Sequence, residues 1–420
     1  MAAQLTPRRT SWVLVAVLLL LALALGGAAM VGAGIVKLPV SVEGSPAQPS
    51  SAESAIPSST PVAFRAAVWS VIASMSGARN GHTATLLADG KVLVAGGGTA
   101  SAELYDPSTG AWTATGNMIQ ARAGHTATLL LDGRVLVTGG HSGDGGYPPS
   151  DRDRSAELYA PATGTWTATG AMSLPHYGGT ATLLLDGTVL LAGGDSRVGN
   201  SSGEGNSAEL YHPARGTWSD AGGMIEKRVH HAATLLSDGK ILVVGGYGWP
   251  SFDTPDRLAS AEVYDPGTGT WTAAGSMNEP RAWITAILLR DGRVLVAGGE
   301  VHVTSAELYD PDGGEWTPTG NSDIRGTLGT YTLLGDGRVL AEGACCGGDT
   351  ESRTQTAAEL FNPVNGTWTA TTSMDETQLG HTATLLTDGT VLVAGGVVQD
   401  TSGNETWLAS AELYDPGSGT

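Results

Sequence analysis

The chain has 420 residues, with 61 glycines, 15% charged residues and a formal net charge of −19. That balance argues against nucleic acid and against docking of the main body on anionic lipid, since both are engaged through Lys and Arg; it favours a soluble acidic surface. The two cysteines, Cys345 and Cys346, are adjacent, so no spaced Cys/His zinc set exists and cross-links cannot be the main staple of the fold.

Residues 1–11 carry Arg8 and Arg9, and an apolar run over 12–36 follows with no charge before Lys37. A run of that length can cross the roughly 30 Å hydrocarbon layer as one helix. Arginines in front of it place the N-terminus in the cytoplasm and the rest outside. The alternative is a cleaved signal peptide, with small residues at Gly26–Ala29 for the peptidase; the run is longer than the usual core of about 7–15 residues, which favours an anchor. Either way the body is expected to be exported. Residues 37–62 are rich in Ser, Pro and Ala and read as a spacer that buries no core.

From residue 63 onward the chain repeats. Trp69, Trp112, Trp166, Trp218, Trp271, Trp316 and Trp368 recur at intervals of 43 to 54 residues. One copy shows the template: His125–Leu130, Asp132-Gly133, Arg134–Gly140, then Ser155–Tyr159, Pro161–Gly164 and Thr165–Ala168. Each copy holds four strand-length runs, here a to d, separated by turn signals. Asp89, Asp132, Asp186, Asp238, Asp291, Asp336 and Asp388 each precede a glycine between a and b. Asp-Gly predicts a two-residue type I′ hairpin, with positive φ at both central positions. Strands c and d are joined by turns such as Asp106–Gly110, where Pro107 presets φ and Gly110 supplies the positive φ.

Strand b is apolar on both faces, as in Val92–Ala95, and needs a sheet on each side. Four-stranded sheets packed face to face around an axis meet that demand. The last copy supplies a, b and c (Thr382–Leu386, Val391–Ala394, Ala411–Tyr414) but no d. Ala67–Met75 aligns with the d strand Trp112–Met118 and is expected to complete that blade, leaving neither end as a bare edge. The predicted fold is all-β: a seven-bladed β-propeller over 63–420, closed by an N-terminal strand and preceded by one transmembrane helix.

A Gly-Gly pair ending strand b, a later Tyr, and a Trp seven residues after it recur as Gly96-Gly97/Tyr105/Trp112, Gly139-Gly140/Tyr159/Trp166 and Gly193-Gly194/Tyr211/Trp218. This pattern resembles the kelch repeat of the kelch and galactose-oxidase central-domain superfamily. The sixth copy departs from it, with Gly343-Ala344 and Phe361, and is expected to pack differently.

Glu103, Glu157, Glu209, Glu262, Glu307, Glu359 and Glu412 share one repeat position. A structural bond made once per blade is the expected role, with Arg79, Arg122, Arg228 and Arg281 as partners. His82, His125, His231 and His381 start strand a in four copies, where Gly179, Ile284 and Gly329 stand in the others; backbone-bonded structural histidines are expected there rather than a metal site. Cys345-Cys346 is a candidate vicinal disulfide on an exported loop.

The a–b and c–d turns are short and alike, whereas the b–c loops carry most of the length variation and so the expected binding surface. Those loops hold Tyr147, Tyr247, Trp249, Phe252 and Trp407, with Arg152 and Arg154 among them, as candidate ligand-binding residues. The functional expectation is a membrane-anchored, extracellular, non-catalytic scaffold for a protein or a glycan, with no cofactor and no nucleic-acid partner. The resemblance implies two alternatives on the same propeller: a galactose-oxidase-like copper enzyme, for whose Tyr, His and Tyr–Cys set no residue-by-residue match is found, and a sugar mutarotase. A structural envelope protein is a further alternative.

Overall fold

The computed structural model describes residues 65–141, 154–195, 205–248, 256–299, 305–324, 329–344, 355–400 and 404–417. The predicted segments 1–11, 12–36 and 37–62 lie outside the described residues. Among those described, no helix is long and apolar enough to cross a membrane.

The described residues form seven four-stranded antiparallel sheets. In blade 1 the strands are a His82–Leu86, b Val92–Gly96, c Ala102–Asp106 and d Ala111–Ala114, in that spatial order. Each a strand lies beside the a strands of the blades before and after it, and that of blade 7 lies beside that of blade 1, so the a strands are the inner wall of a closed ring. Blade 7 joins Thr382–Leu385, Val391–Ala394 and Ala411–Asp415 to the N-terminal strand Val68–Val71, with Trp69 opposite Tyr414. The ring therefore closes as the repeat alignment predicted.

The core is a set of interfaces between blades. Strand b is buried on both faces, and Leu93 and Ala95 of blade 1 pack against Val135, Val137 and Tyr159 of blade 2. Burying such strands on both sides supplies the main driving force, about 25 cal/mol per Å² of apolar surface. The repeat tryptophan couples blades at the outer edge. Its ring lies 4.9–5.0 Å from the Tyr on strand c, as in Tyr105–Trp112 and Tyr264–Trp271. Its indole N–H reaches back to the preceding blade, as Trp166 Nε1 does to Gly116 O and Trp218 Nε1 to Gly170 O, both at 2.7 Å. In blade 6, Phe361 keeps the ring contact with Trp368 at 4.9 Å. It lacks the hydroxyl that Tyr159 and Tyr211 use to bond Thr115 and Thr169.

The Asp-Gly turns differ from the predicted type. Only the glycine has positive φ (Gly90 85°, Gly133 84°), and the aspartate does not. Leu87 O accepts Gly90 N–H at 3.0 Å while Leu87 N–H donates to Lys91 O at 2.8 Å, so the loop has three residues and ends in a glycine bulge. Aspartate is used because its Oδ1 accepts the N–H two residues on, as Asp132 does from Arg134 at 3.0 Å.

The glutamate ring is structural, as expected. Glu103 Oε1 accepts from Arg79 Nη2 at 2.8 Å and its Oε2 from Ser76 N–H at 2.8 Å. The same guanidinium donates to Gly96 O and Ser101 O, which staples the loop ends of three strands. Arg122–Glu157, Arg228–Glu262 and Arg281–Glu307 repeat the pair at 2.9–3.0 Å. His176 replaces the arginine for Glu209 at 3.2 Å, and Gln378 does so for Glu412. Burial pushes both Glu103 and Glu412 up, but Arg79 and Ser76 bring Glu103 below its ordinary value, whereas Glu412, without a cation, stays above.

The four strand-a histidines are structural too, but the partner they share is a threonine side chain of the preceding blade rather than the expected backbone group. Nε2 of His125 is hydrogen-bonded to Thr83 Oγ1 of the preceding blade at 2.9 Å, and His231 and His381 bond Thr180 and Thr330 in the same way at 3.0 Å. His82 bonds Thr382 and Ala394 O across the closure, both at 3.1 Å. In four blades these rings explain the glycine that ends strand b. A Cβ on Gly96, Gly193, Gly343 or Gly395 would lie 2.6 Å from the Cε1 of the next blade's histidine.

Candidate binding site at the inner rim of the loop face

One residue before the histidine slot, the chain turns from the incoming connection into strand a. The backbone is left-handed there in every blade where the residue is described: Gly81 (φ 69°), Gly124 (63°), Gly178 (66°) and Gly380 (62°). Blades 4 and 5 place His230 (φ 54°) and Trp283 (φ 58°) in that slot, and these are the only described non-glycine residues with positive φ. A side chain costs about 1–2 kcal/mol in that conformation. Backbone bonds link the slots of neighbouring blades, Gly124 N–H to Gly81 O, His230 N–H to Gly178 O and Trp283 N–H to His230 O, at 2.8–2.9 Å. They form the inner rim of the loop face, because strand a is the innermost strand.

The two side chains form one unit. The imidazole of His230 stacks on the indole of Trp283 with centroids 3.5 Å apart and planes 17° from parallel. Tyr177 and Tyr247 meet the imidazole edge-on at 5.8 and 6.4 Å, and His141 lies 5.7 Å from Tyr177. Backbone pairing sets their positions: Tyr177 bridges to Asp195, Val229 to Tyr247 and Ala123 to His141, each just past a Gly-Gly pair. Gly178 gives the imidazole its room, since a Cβ there would lie 2.7 Å from His230 Cε1.

Burial lowers the His230 imidazole to about 4 against a smaller opposing effect of Asp195, so the ring is neutral at neutral pH. Burial, with help from Asp195, raises the Tyr177 phenol, which keeps its proton. Trp283 remains 39% exposed. Its indole N–H has no hydrogen-bond partner among the described residues, unlike the seven repeat tryptophans. The cluster thus offers an aromatic surface edged by the ring nitrogens of Trp283 and His230, which suits binding by stacking and hydrogen bonding.

Of the predicted loop residues, Tyr247 belongs to this cluster. Trp407 lies elsewhere: it ends a small hairpin, Val397–Gln399 with Glu405–Trp407, and its ring covers Gly98 of blade 1, where a Cβ would meet it at 2.9 Å. Arg154 donates to Ser173 O at 3.2 Å. Tyr147, Arg152, Trp249, Phe252 and the Cys345-Cys346 pair lie outside the described residues. His230, Trp283 and Tyr177 were not among the predicted residues. The signal for the first two was present as a departure from glycine in an aligned slot. Among the described residues, no group of three or more His, Cys, Asp or Glu is placed to hold a metal ion.

Fold and site together define a propeller of Gly-Gly/Tyr/Trp repeats with an aromatic rim on its variable face. A family model described as Kelch motif matches residues 228–278. An F-box/kelch-repeat protein of Arabidopsis thaliana is 30% identical over 130 residues, 31% of this chain and 33% of that protein. Kelch-like protein 21 of Homo sapiens is 28% identical over 128 residues, 30% of this chain and 19% of the relative. The match spans a third or less of either relative's length. Among solved structures, a fungal alcohol oxidase in complex with copper has a TM-score of 0.65 at 18% identity, covering 83% of this chain and 76% of that one. That likeness is one of fold. The chain is a seven-bladed β-propeller that carries a kelch motif at residues 228–278.

Proposed function

We propose that this protein is a non-catalytic recognition module, anchored by its N-terminal apolar segment with the propeller outside the cytoplasm. Its loop face takes an extracellular protein or glycan over blades 3 to 5. The observation that carries the reading is the His230–Trp283 stack: two large side chains kept in a backbone conformation that four sister slots reserve for glycine. Strain retained at one place in an otherwise regular repeat is a mark of function. Relatives named as kelch-repeat proteins make a macromolecular partner a natural class. The anchor rests on the uncharged run 12–36 behind Arg8 and Arg9.

The test is site-specific photocross-linking of the full-length protein with intact cells. A cross-linker at Tyr247 is expected to capture a partner, and one at Val364, exposed in the c–d turn of blade 6, is not. Capture from Val364 alone would overturn the loop-face reading. External protease that degrades the propeller in intact cells would support the orientation, and full protection would reverse it.

A further inference from the structure

We infer that the rim cluster of Trp283, His230, Tyr177 and Tyr247 is a binding site for a neutral saccharide, whose ring lies on the Trp283 indole. This deepens the loop-face reading and rests on it.

One face of the indole is covered by the imidazole at 3.5 Å, and the residue is still 39% exposed, so part of it is open to a ligand. A flat, apolar and electron-rich surface attracts C–H groups of positive partial charge. The edges are polar but uncharged. The indole N–H is unpartnered among the described residues, and His230, stacked on it, is a neutral imidazole with a donor and an acceptor nitrogen. A sugar ring presents the complement: an apolar C–H face bordered by hydroxyls that need both donors and acceptors.

Competing chemistries fit less well. An anion such as a nucleotide or an acidic sugar meets a chain of net charge −19, and the cation whose backbone pairs with Tyr247, Arg257, is already engaged. An organic cation would gain from an open carboxylate beside the ring. The acid next to Tyr177 is Asp195, which is 2% exposed and already engaged. The site is rigid: backbone bonds fix Trp283 to His230 and His230 to Gly178, and Gly178 leaves room for the imidazole. Preorganisation of this kind matters for weakly binding neutral ligands.

The experiment uses the full-length protein on an array of neutral hexose and N-acetylhexosamine oligosaccharides, with acidic oligosaccharides and arginine-rich peptides on the same surface. Tryptophan fluorescence serves as the solution readout. The wild type is expected to bind one or more neutral saccharides and shift its emission. Trp283→Gly is expected to weaken binding about tenfold or more, the equivalent of one stacked aromatic contact, and Trp283→Phe to weaken it less. Glycine fits the slot's backbone, so an unchanged thermal melt shows that the loss is not unfolding. Saccharide binding that Trp283→Gly leaves intact overturns the site. No neutral saccharide bound, or only peptides or acidic sugars, overturns the ligand class. If Tyr247 cross-linking still captures a partner in that case, the loop-face reading survives; if it also fails, both readings fall.

Discussion

Blades 1 and 2 enter their inner strands through Gly81 and Gly124, and blades 4 and 5 enter theirs through His230 and Trp283, with φ within 15° throughout (69° and 63° against 54° and 58°). The four slots share the left-handed turn and the backbone bond to the neighbouring slot, so the repeat dictates the conformation whatever residue fills it. What differs is cost and consequence. Glycine is at ease there, whereas the histidine and tryptophan hold about 1–2 kcal/mol of backbone strain each. Their stack and the edge-on tyrosines return part of it. A regular scaffold can carry a local penalty because many inter-blade contacts over-determine the geometry.

The contrast can be stressed most strongly through pH. Burial holds His82, His125 and His231 at about 3 and His381 at about 4, so they stay neutral when folded. An unfolded histidine takes its proton near pH 6.5, so below that pH the unfolded chain binds more protons and stability falls. The expected loss is up to about 1.4 kcal/mol per pH unit for each histidine, until the folded values are reached. Blade 5 has Ile284 in this slot and adds nothing to the loss. Urea unfolding between pH 7 and 4 checks this, and His125→Gln should make the slope shallower by one proton.

Blade 6 supplies the opposite sign. Glu342 occupies a strand-b position held by Ala95 in blade 1 and is fully buried. It accepts from Thr330 Oγ1 at 2.8 Å and leaves Oε2 unpartnered. Burial raises its carboxyl to about 8 against the smaller effect of Thr330. The folded chain then holds the proton that the unfolded chain releases near 4.5. Its contribution is complete below pH 4.5 and is lost on the way to about 8, at up to about 1.4 kcal/mol per unit. Glu342→Gln should remove that decline, measured as the urea midpoint from pH 5 to 9.

Gly178→Ala sharpens the comparison at the rim. The new Cβ meets positive φ and the His230 ring at 2.7 Å, so a cost of about 2–4 kcal/mol is expected, together with loss of rim binding. The smallest effect is the most diagnostic. Trp283→Gly should leave stability unchanged or raise it by up to about 1 kcal/mol, since strain relief offsets the lost stack. A large loss of stability would mean that Trp283 is there for the fold.

Much of this was legible without coordinates. Closure by Val68–Val71, the Arg79–Glu103 pair and a structural role for His125 follow from repeat alignment, because a slot that recurs must do the same job in each blade; the bond of His125 to Thr83 of the preceding blade does not. The Asp-Gly turns differ from the expected type for a local reason. The dipeptide suits two kinds of hairpin, and the pairing of Leu87 with Lys91 selects the three-residue one. The rim was only half legible. Tyr247 stood out as an aromatic in a loop of variable length, but Trp283 and His230 lie 53 residues apart in sequence and 3.5 Å apart in space.

The sequence by itself determined the architecture of this protein, since seven aligned copies of one hydrophobic and turn pattern admit few folds. It also determined which polar residues serve that architecture, because those recur with the repeat. Tertiary structure alone decided which departures from the repeat meet. His230, Trp283, Tyr177 and Tyr247 become neighbours only when consecutive blades are set side by side around the axis, a distance no single-chain spacing encodes.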